Sequence, residues 1–325
     1  MEPAADLVAI TDWLAPHRFR DLVLEPLPGD VSPRRYFRIR HREGTAIVAH
    51  YPPEARPACA RFLATGALLA GAGVRVPGVL AADCAAGLML LEDVGSRTLY
   101  EHGGEPWQRL EPFFAEALRL GLRVGGIPEE RAAALSPPLA EDLLAGELRQ
   151  TWDLLLVPGG LAEPPLREPL EATLRELCRR LGAAPARPAH RDFMARNLVP
   201  LGDGPELAVL DHQDLRLAPV AYDLASLLND SLFPPPDVEE RLLGKFLPAF
   251  GADRLAYHRA AAQRTLKAAG TFMSFARRGF RRHLALIPPT LERALGHLAA
   301  LPEGEELVGE LAPSWRRRGF GSGFG

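Results

Sequence analysis

Lysine is nearly missing from this chain of 325 residues: only Lys245 and Lys267 occur among 38 basic positions, and the rest are arginine. Coding bias in a GC-rich genome accounts for the preference, yet it has a chemical consequence. Any permanent cation needed before residue 245 must be a guanidinium. Cysteine is scarce as well. Cys59, Cys84 and Cys178 are odd in number, far apart and without metal-ligand spacing, which excludes a disulfide-stapled scaffold and predicts buried, reduced thiols. No apolar run approaches the ~20 residues that span a bilayer. The opening stretch MEPAADLVAITDWL carries acids where a secretory leader has a basic region, so a cytoplasmic chain is expected. Charge of one sign is lacking too: a formal net charge of -3 offers no general attraction to nucleic acid or to an anionic membrane. Small molecules are the expected partners.

What is present is an ordinary globular composition, 47% apolar and 24% charged, on a chain long enough for two lobes. Residues 6–18 have apolar positions at helical spacing. YFRIR (36–40) alternates with period two and TAIVAHY (45–51) is a β-branched run, which together predict a hairpin. A helix over 58–71 follows a proline break, and LMLLEDVG closes a second apolar pair of strands. From about residue 105 the pattern turns helical, with helices expected over 106–124, 139–156, 166–181, 221–230, 237–249, 254–275 and 289–301. This shift predicts an α+β, bilobal chain: a small β-rich lobe over 1–94, a larger helical lobe over 95–315, and a disordered Gly-rich tail over 316–325.

The chemistry concentrates in AHRDFMARNLV, residues 189–199. After Asn197 an apolar pair, a Gly-Asp-Gly turn and a second apolar run predict a hairpin that returns Asp211 beside Asn197. One carboxylate and one amide oxygen suit Mg²⁺, which keeps waters and takes the remaining ligands from phosphate. Asp192 stands where a base would accept the proton of an attacking hydroxyl, and His190 where a brace for the loop is needed. The order H-R-D-x-x-x-x-N followed by a metal-binding Asp is the protein-kinase-like signature.

LDHQDLRLAPVAYDLASLLND (210–230) resembles the corresponding segment of aminoglycoside phosphotransferase-type small-molecule kinases. Within that group, GDVSPRRYFRI, LMLLEDVGSRTLYE, ELRQTWDLLL, HRDFMARNLV, DHQD and AAQRTLKAAGTFMSFARRG resemble, in order, the bacterial anomeric kinases of N-acetylmuramate and N-acetylglucosamine that serve cell-wall recycling. The resemblance implies ATP as phosphoryl donor, Mg²⁺ as cofactor, Asp192 as base, and Asn197 with Asp211 as metal ligands. It places Gly29, Ser32, Arg34 and Arg35 in the loop over the nucleotide phosphates, and backbone groups around Glu92–Val94 at the adenine edge. Asp223 is expected to cap its helix and support the catalytic loop. Asp214, Glu147 and Trp152 are candidates for gripping a polyhydroxylated acceptor.

The chain departs from the pattern in one respect. Where a kinase strand carries a lysine paired with a helix glutamate, this chain offers His50, and it has no glutamate between Glu54 and Glu92. Arg34, Arg35 or Arg38 is expected to supply the cation. Two other readings compete: a nucleotide-binding pseudokinase, and a metal-dependent hydrolase built from His190, Asp192, Asp211 and His212. Other acceptors, choline-like or aminoglycoside, compete with the amino sugar.

Overall fold

The computed structural model describes residues 3–17, 23–27, 33–41 and 44–317. Helix α1 (Pro3–Leu14) precedes an antiparallel five-stranded sheet of β1 (Val23–Pro26), β2 (Arg35–His41), β3 (Gly44–His50), β4 (Val79–Asp83) and β5 (Leu88–Glu92). The spatial order is β1-β2-β3-β5-β4, with helix α2 (Pro57–Gly71) between β3 and β4 in sequence.

Alternation sorts the strand residues onto two faces. Phe37, Ile39, Ala46, Val48, Leu88 and Leu90 pack with Ile10 and Leu14 of α1. Ala49, Met89 and Leu91 pack with Cys59 and Phe62 of α2. The sheet is therefore covered on both sides, which is why LMLL reads as an unbroken apolar run. Cys59 and Cys84 do not remain thiols as the sequence suggested: they form a disulfide that ties α2 to the β4–β5 turn across a separation of 25 residues. Cross-linking a loop of that size removes unfolded-chain entropy worth ~3 kcal/mol. Cys178 alone is the buried thiol expected, and burial pushes its pKa up to about 12.

The large lobe contains α3 (Trp107–Gly125), α4 (Glu129–Ala133), α5 (Glu141–Thr151) and α6 (Arg167–Gly182). Two short ladders follow, β6 (Ala186–Ala189) with β9 (Arg216–Pro219), and β7 (Leu198–Pro200) with β8 (Leu207–Val209). Then come α7 (Tyr222–Leu228), α8 (Pro236–Phe246), α9 (Arg254–Arg277), α10 (Ile287–Ala299) and α11 (Glu305–Arg317). The tail assignment is corrected at its start, because α11 continues through Arg316, which pairs with Glu292; residues 318–325 lie outside the described residues. Among the described residues no helix is long and apolar enough to cross a membrane.

Helix α9 is the axis of this lobe, and a missing side chain lets it carry the site. A Cβ on Gly270 would stand 2.2 Å from Thr151 Oγ1 and 2.7 Å from Thr151 Cα, so α9 and α5 touch at backbone distance. Thr151 Oγ1 fixes the depth by donating to the Leu266 carbonyl at 2.8 Å. The contact presents Gln263, Arg264 and Lys267, polar residues within a mostly buried stretch of helix, to α5 and the loop after β6.

A second polar cluster lies between α7, α9 and α10. His297 Nε2 donates to Asn229 Oδ1 at 2.7 Å, which leaves Nδ1 to accept from His258 Nδ1 at 3.0 Å. Burial, then Arg293, then His258 hold the His297 pKa down at about 3, against 6.5 ordinarily. As pH falls below 6.5 the unfolded chain gains this proton and the native chain does not, so stability declines as pH falls toward 3. Between about pH 7 and about pH 5 this group removes ~2 kcal/mol. Denaturant titrations at both values should show at least that loss, and His297→Gln should reduce the pH dependence by about this amount while leaving the part due to other buried histidines.

Candidate active site

The β7–β8 ladder pairs Leu198 with Val209, and just outside it Leu210 N donates to the Asn197 carbonyl at 2.8 Å. Asn197 and Asp211 thus flank the open end of one hairpin, as their spacing predicts. Two non-glycine residues here adopt left-handed backbone, Arg191 at φ 74° and Asp211 at φ 56°. Such residues persist only where surrounding bonds determine them. For Arg191 the determinant is Asp223. One of its oxygens accepts from His190 N at 2.7 Å and the other from Arg191 N at 2.9 Å. The helix-capping half of the expectation for Asp223 is not met, since Ala221 occupies the N-cap of α7 and no side chain caps it. His190 Nε2 donates to the Leu210 carbonyl at 2.9 Å, and Asn197 Nδ2 donates to the Asp192 carbonyl at 2.8 Å. The second bond turns Asn197 Oδ1 away from the loop it stabilises.

Asp192 is surrounded by cations. Its Oδ1 lies 3.2 Å from Arg264 Nη1 and 3.5 Å from Lys267 Nζ, and Oδ2 lies 3.9 Å from Arg191 Nη1. Burial favours the protonated acid, but Lys267, Arg264 and Arg191 outweigh it and hold the carboxyl well below the usual carboxylate range. Burial in turn lowers the Lys267 pKa, opposed by Asp192 and Glu147. The other two carboxylates expected to grip an acceptor are engaged internally. Glu147 accepts from Arg191 Nη2 at 2.7 Å and Gln263 Nε2 at 2.9 Å, and stands 3.0 Å from Lys267 Nζ. Asp214 binds Arg191 and Arg216. Trp152 is not in this network at all: it lines a separate groove of about 140 Å³ with Arg149, Leu174, Arg175 and Cys178. Lys267 and Arg264 belong to no motif that marks them in the sequence, although two cations three residues apart within the Ala/Leu-rich run AAAQRTLKAAG are a signal in themselves.

A cavity of about 620 Å³ opens between the lobes, lined by Tyr36, Arg38, Leu91, Val94, Asn197 and Asp211 among others. Asp192 does not line it but adjoins it through Asn197. At the junction Arg38 grips Asp93 at 2.7 and 3.2 Å and the Gly95 carbonyl at 3.1 Å. Of the backbone groups expected to meet adenine, the Glu92 amide is already bonded to the Gly78 carbonyl at 2.8 Å, and the Glu92 side chain pairs with Arg75. Gly29 and Ser32 lie outside the described residues. Arg35 is exposed on β2, whereas Arg34 lines the cavity and donates to Asp211 Oδ1 at 2.8 Å. Arg34 remains charged: burial works against it, but Tyr36 and Asp211 raise its pKa.

His212 is buried against α2, 2.8 Å from Thr65 Oγ1 and over the Phe62 ring at 4.2 Å. Burial, then His190, lower its pKa to about 3. It turns away from Asp211, and among the described residues no three His, Cys, Asp or Glu side chains converge as a metal cluster. The hydrolase reading needs such a cluster. A two-ligand site completed by water and phosphate is what Asn197 and Asp211 fit instead.

Comparison with known proteins places this geometry. Residues 23–263 match the phosphotransferase enzyme family. The N-acetylmuramate/N-acetylglucosamine kinase of Pseudomonas aeruginosa PAO1 is 33% identical over 308 residues, covering 90% of this chain and 88% of that protein. That of Caulobacter vibrioides is 30% identical over 330 residues, covering 85% and 88%. Among solved structures, choline kinase LicA from Streptococcus pneumoniae superposes with a TM-score of 0.63 at 14% identity over 92% of this chain and 100% of its own. ADP-bound aminoglycoside phosphotransferase APH(2'')-Ib gives 0.59 at 14% identity over 93% and 99%. The last two likenesses are of fold.

Proposed function

The chain belongs to the phosphotransferase enzyme family, and on that premise we propose that it moves the γ-phosphoryl group of ATP to the anomeric hydroxyl of N-acetylmuramate or N-acetylglucosamine. The names of its relatives support the acceptor class. The charge around Asp192 carries the choice within this family. An acceptor bearing an amine, such as choline or an aminoglycoside, would bring a further cation to a base already facing Lys267, Arg264 and Arg191. The nearby acids that would welcome it, Glu147 and Asp214, are held by arginines. A neutral N-acetyl sugar, or one with a carboxylate, meets no such repulsion.

The same cations make Asp192 a weak base, which points to an acidic hydroxyl. A hemiacetal hydroxyl is more acidic than the other hydroxyls of a sugar, so it needs less help from its acceptor of protons. In this reading Asp192 orients the anomeric hydroxyl and takes its proton as the new O–P bond forms and the bond from the γ-phosphorus to the β,γ-bridging oxygen breaks, with ADP leaving. Lys267 and Arg264 keep Asp192 ionised, and Asp223 and His190 keep its loop in place. Asn197 Oδ1 and the Asp211 carboxylate would hold Mg²⁺, whose charge would offset the negative charge that develops on the transferring phosphoryl group.

ADP release in a coupled assay with Mg-ATP tests the proposal across N-acetylmuramate, N-acetylglucosamine, unmodified hexoses, choline and an aminoglycoside. The two N-acetyl sugars should stimulate release, with a 1-phosphate as product. Turnover of choline or the aminoglycoside in preference to them would sink the assignment.

A further inference from the structure

We infer that Arg196 recognises the carboxylate of N-acetylmuramate and so sets how strongly that sugar is used relative to N-acetylglucosamine. The inference rests on the acceptor reading above and names the side chain behind one part of it. The two acceptors differ only in the lactyl ether on O3, which gives N-acetylmuramate its carboxylate where N-acetylglucosamine has a neutral hydroxyl.

Arg196 lies in the short turn Ala195–Asn197, four residues after the base, and it lines the cavity between the lobes. Its guanidinium is braced on two sides. The central carbon stands 3.5 Å from the centre of the Tyr100 ring, and so close an approach requires the planar group to lie flat on the ring. Nε donates to Ser231 Oγ at 3.1 Å, and that hydroxyl donates in turn to Asp230 Oδ2 at 2.6 Å. Asp230 and Ser231 are both buried. One face and one edge of the group are thus fixed. Nη1 and Nη2 have no partner among the described residues, and they are not shut off from solvent. Together they form the end-on fork that meets the two oxygens of a carboxylate.

The braces are held to each other by packing. A Cβ on Gly103 would stand 2.4 Å from Leu232 Cδ2, so the turn that carries Tyr100 (Leu99–His102) sits directly against the residue after Ser231. That turn is itself closed by Thr98 N, which donates to Glu101 Oε2 at 2.6 Å. A long side chain held in this way has already lost the freedom that ligand binding would otherwise remove.

Other arginines of the cavity are committed or peripheral. Arg34 is on Asp211 and Arg38 on Asp93, while Arg97 is exposed and donates to the Glu101 carbonyl. The acid in the Arg196 network, Asp230, meets it only through the Ser231 hydroxyl, so the fork keeps charge for a ligand. Asp230 also senses both Arg196 and Asp192, which sets the fork in the electrostatic neighbourhood of the base. The lactyl carboxylate lies across the sugar ring from the anomeric hydroxyl. Its partner must therefore share the cleft with Asp192 without touching it, and Arg196 does so from the side of Tyr100 and Ser231.

The test compares kcat/KM for N-acetylmuramate, its primary amide and N-acetylglucosamine in the wild type, Arg196→Met and Arg196→Lys, with a melting curve and a Mg-ADP titration for each. Arg196→Met keeps an apolar stem on Tyr100 and removes the fork. It should lower the ratio of N-acetylmuramate to N-acetylglucosamine kcat/KM by ~10-fold or more, and Arg196→Lys should regain part of that. The wild type should favour the acid over its amide by a similar factor, a preference that Arg196→Met should lose. An unchanged ratio in Arg196→Met, or an equal fall with both sugars, would overturn the inference while the sugar-kinase reading stands. So would a wild type that phosphorylates N-acetylglucosamine alone. Mg-ADP weakened ~10-fold with the ratio intact would assign the fork to nucleotide phosphate and overturn it as well. A wild type that turns over neither sugar would overturn the acceptor reading and this inference with it.

Discussion

Asp192→Asn is expected to keep the fold and Mg-nucleotide binding and to lose ~10³-fold in kcat, a barrier increase of ~4 kcal/mol. The amide is isosteric with the carboxylate but cannot take a proton, so under the proposed function the acceptor hydroxyl would lose its base and its negatively charged orienting partner together. The electrostatic side effect is bounded by the neighbours. Arg264 and Lys267 lose an anion at 3.2 and 3.5 Å, yet Lys267 retains Glu147 at 3.0 Å. Arg264 still packs over the Tyr222 ring at 5.6 Å. Breaking buried pairs costs stability, but here the charge left behind is shared with a surviving carboxylate. Steady-state kinetics with N-acetylglucosamine, beside a melting curve and a Mg-ADP titration, would check it. Retention of more than about a tenth of kcat with folding intact would mean that Asp192 positions its cationic neighbours rather than accepting the proton.

Much of this site is legible without coordinates because its parts are local. His190 to Asn197 span one loop, and the Gly-Asp-Gly turn fixes where Asp211 returns. The β2–β3 hairpin and the period-two pattern within it are legible for the same reason. What escaped has a different physical origin. His50 stands at the lysine's place by count along the chain, but its pairing with Arg35, beside Val48 packed toward α1, sets it on the face away from α2, and that parity is fixed only once the sheet forms. Glu147 and Asp214 are acids whose partner Arg191 meets them from a left-handed backbone, a conformation the sequence does not announce. Lys267 and Arg264 lie more than seventy residues from Asp192 in sequence, and the Gly270–Thr151 contact that delivers α9 to the site is tertiary. Cys59 and Cys84 meet because α2 lies across the sheet. Composition alone argued for reduced thiols.

Asp223 provides the second large effect, and a sharper one than its distance from the chemistry suggests. Its side chain is buried, and its two oxygens accept from consecutive backbone amides, those of His190 and Arg191. Burial raises its pKa, with His190 and the amide bonds acting in opposition. Asp223→Ala leaves both amides without their acceptor, at ~1–3 kcal/mol each, and removes what fixes the left-handed backbone of Arg191. A stability loss of ~3 kcal/mol is expected, with kcat falling further than the unfolded fraction explains, because Asp192 follows directly on Arg191. Asp223→Asn should not rescue the site. Its amide group can place an oxygen before only one of the two N–H donors, and before the other it sets donor against donor. If instead Asp223→Asn kept wild-type kcat and melting temperature, one accepting oxygen would suffice, and the second bond would contribute nothing to the shape of the loop. A fall in kcat in the folded fraction of both variants, with Mg-ADP affinity little changed, would show that helix α7 sets the position of the base through a carboxylate that never meets the substrate.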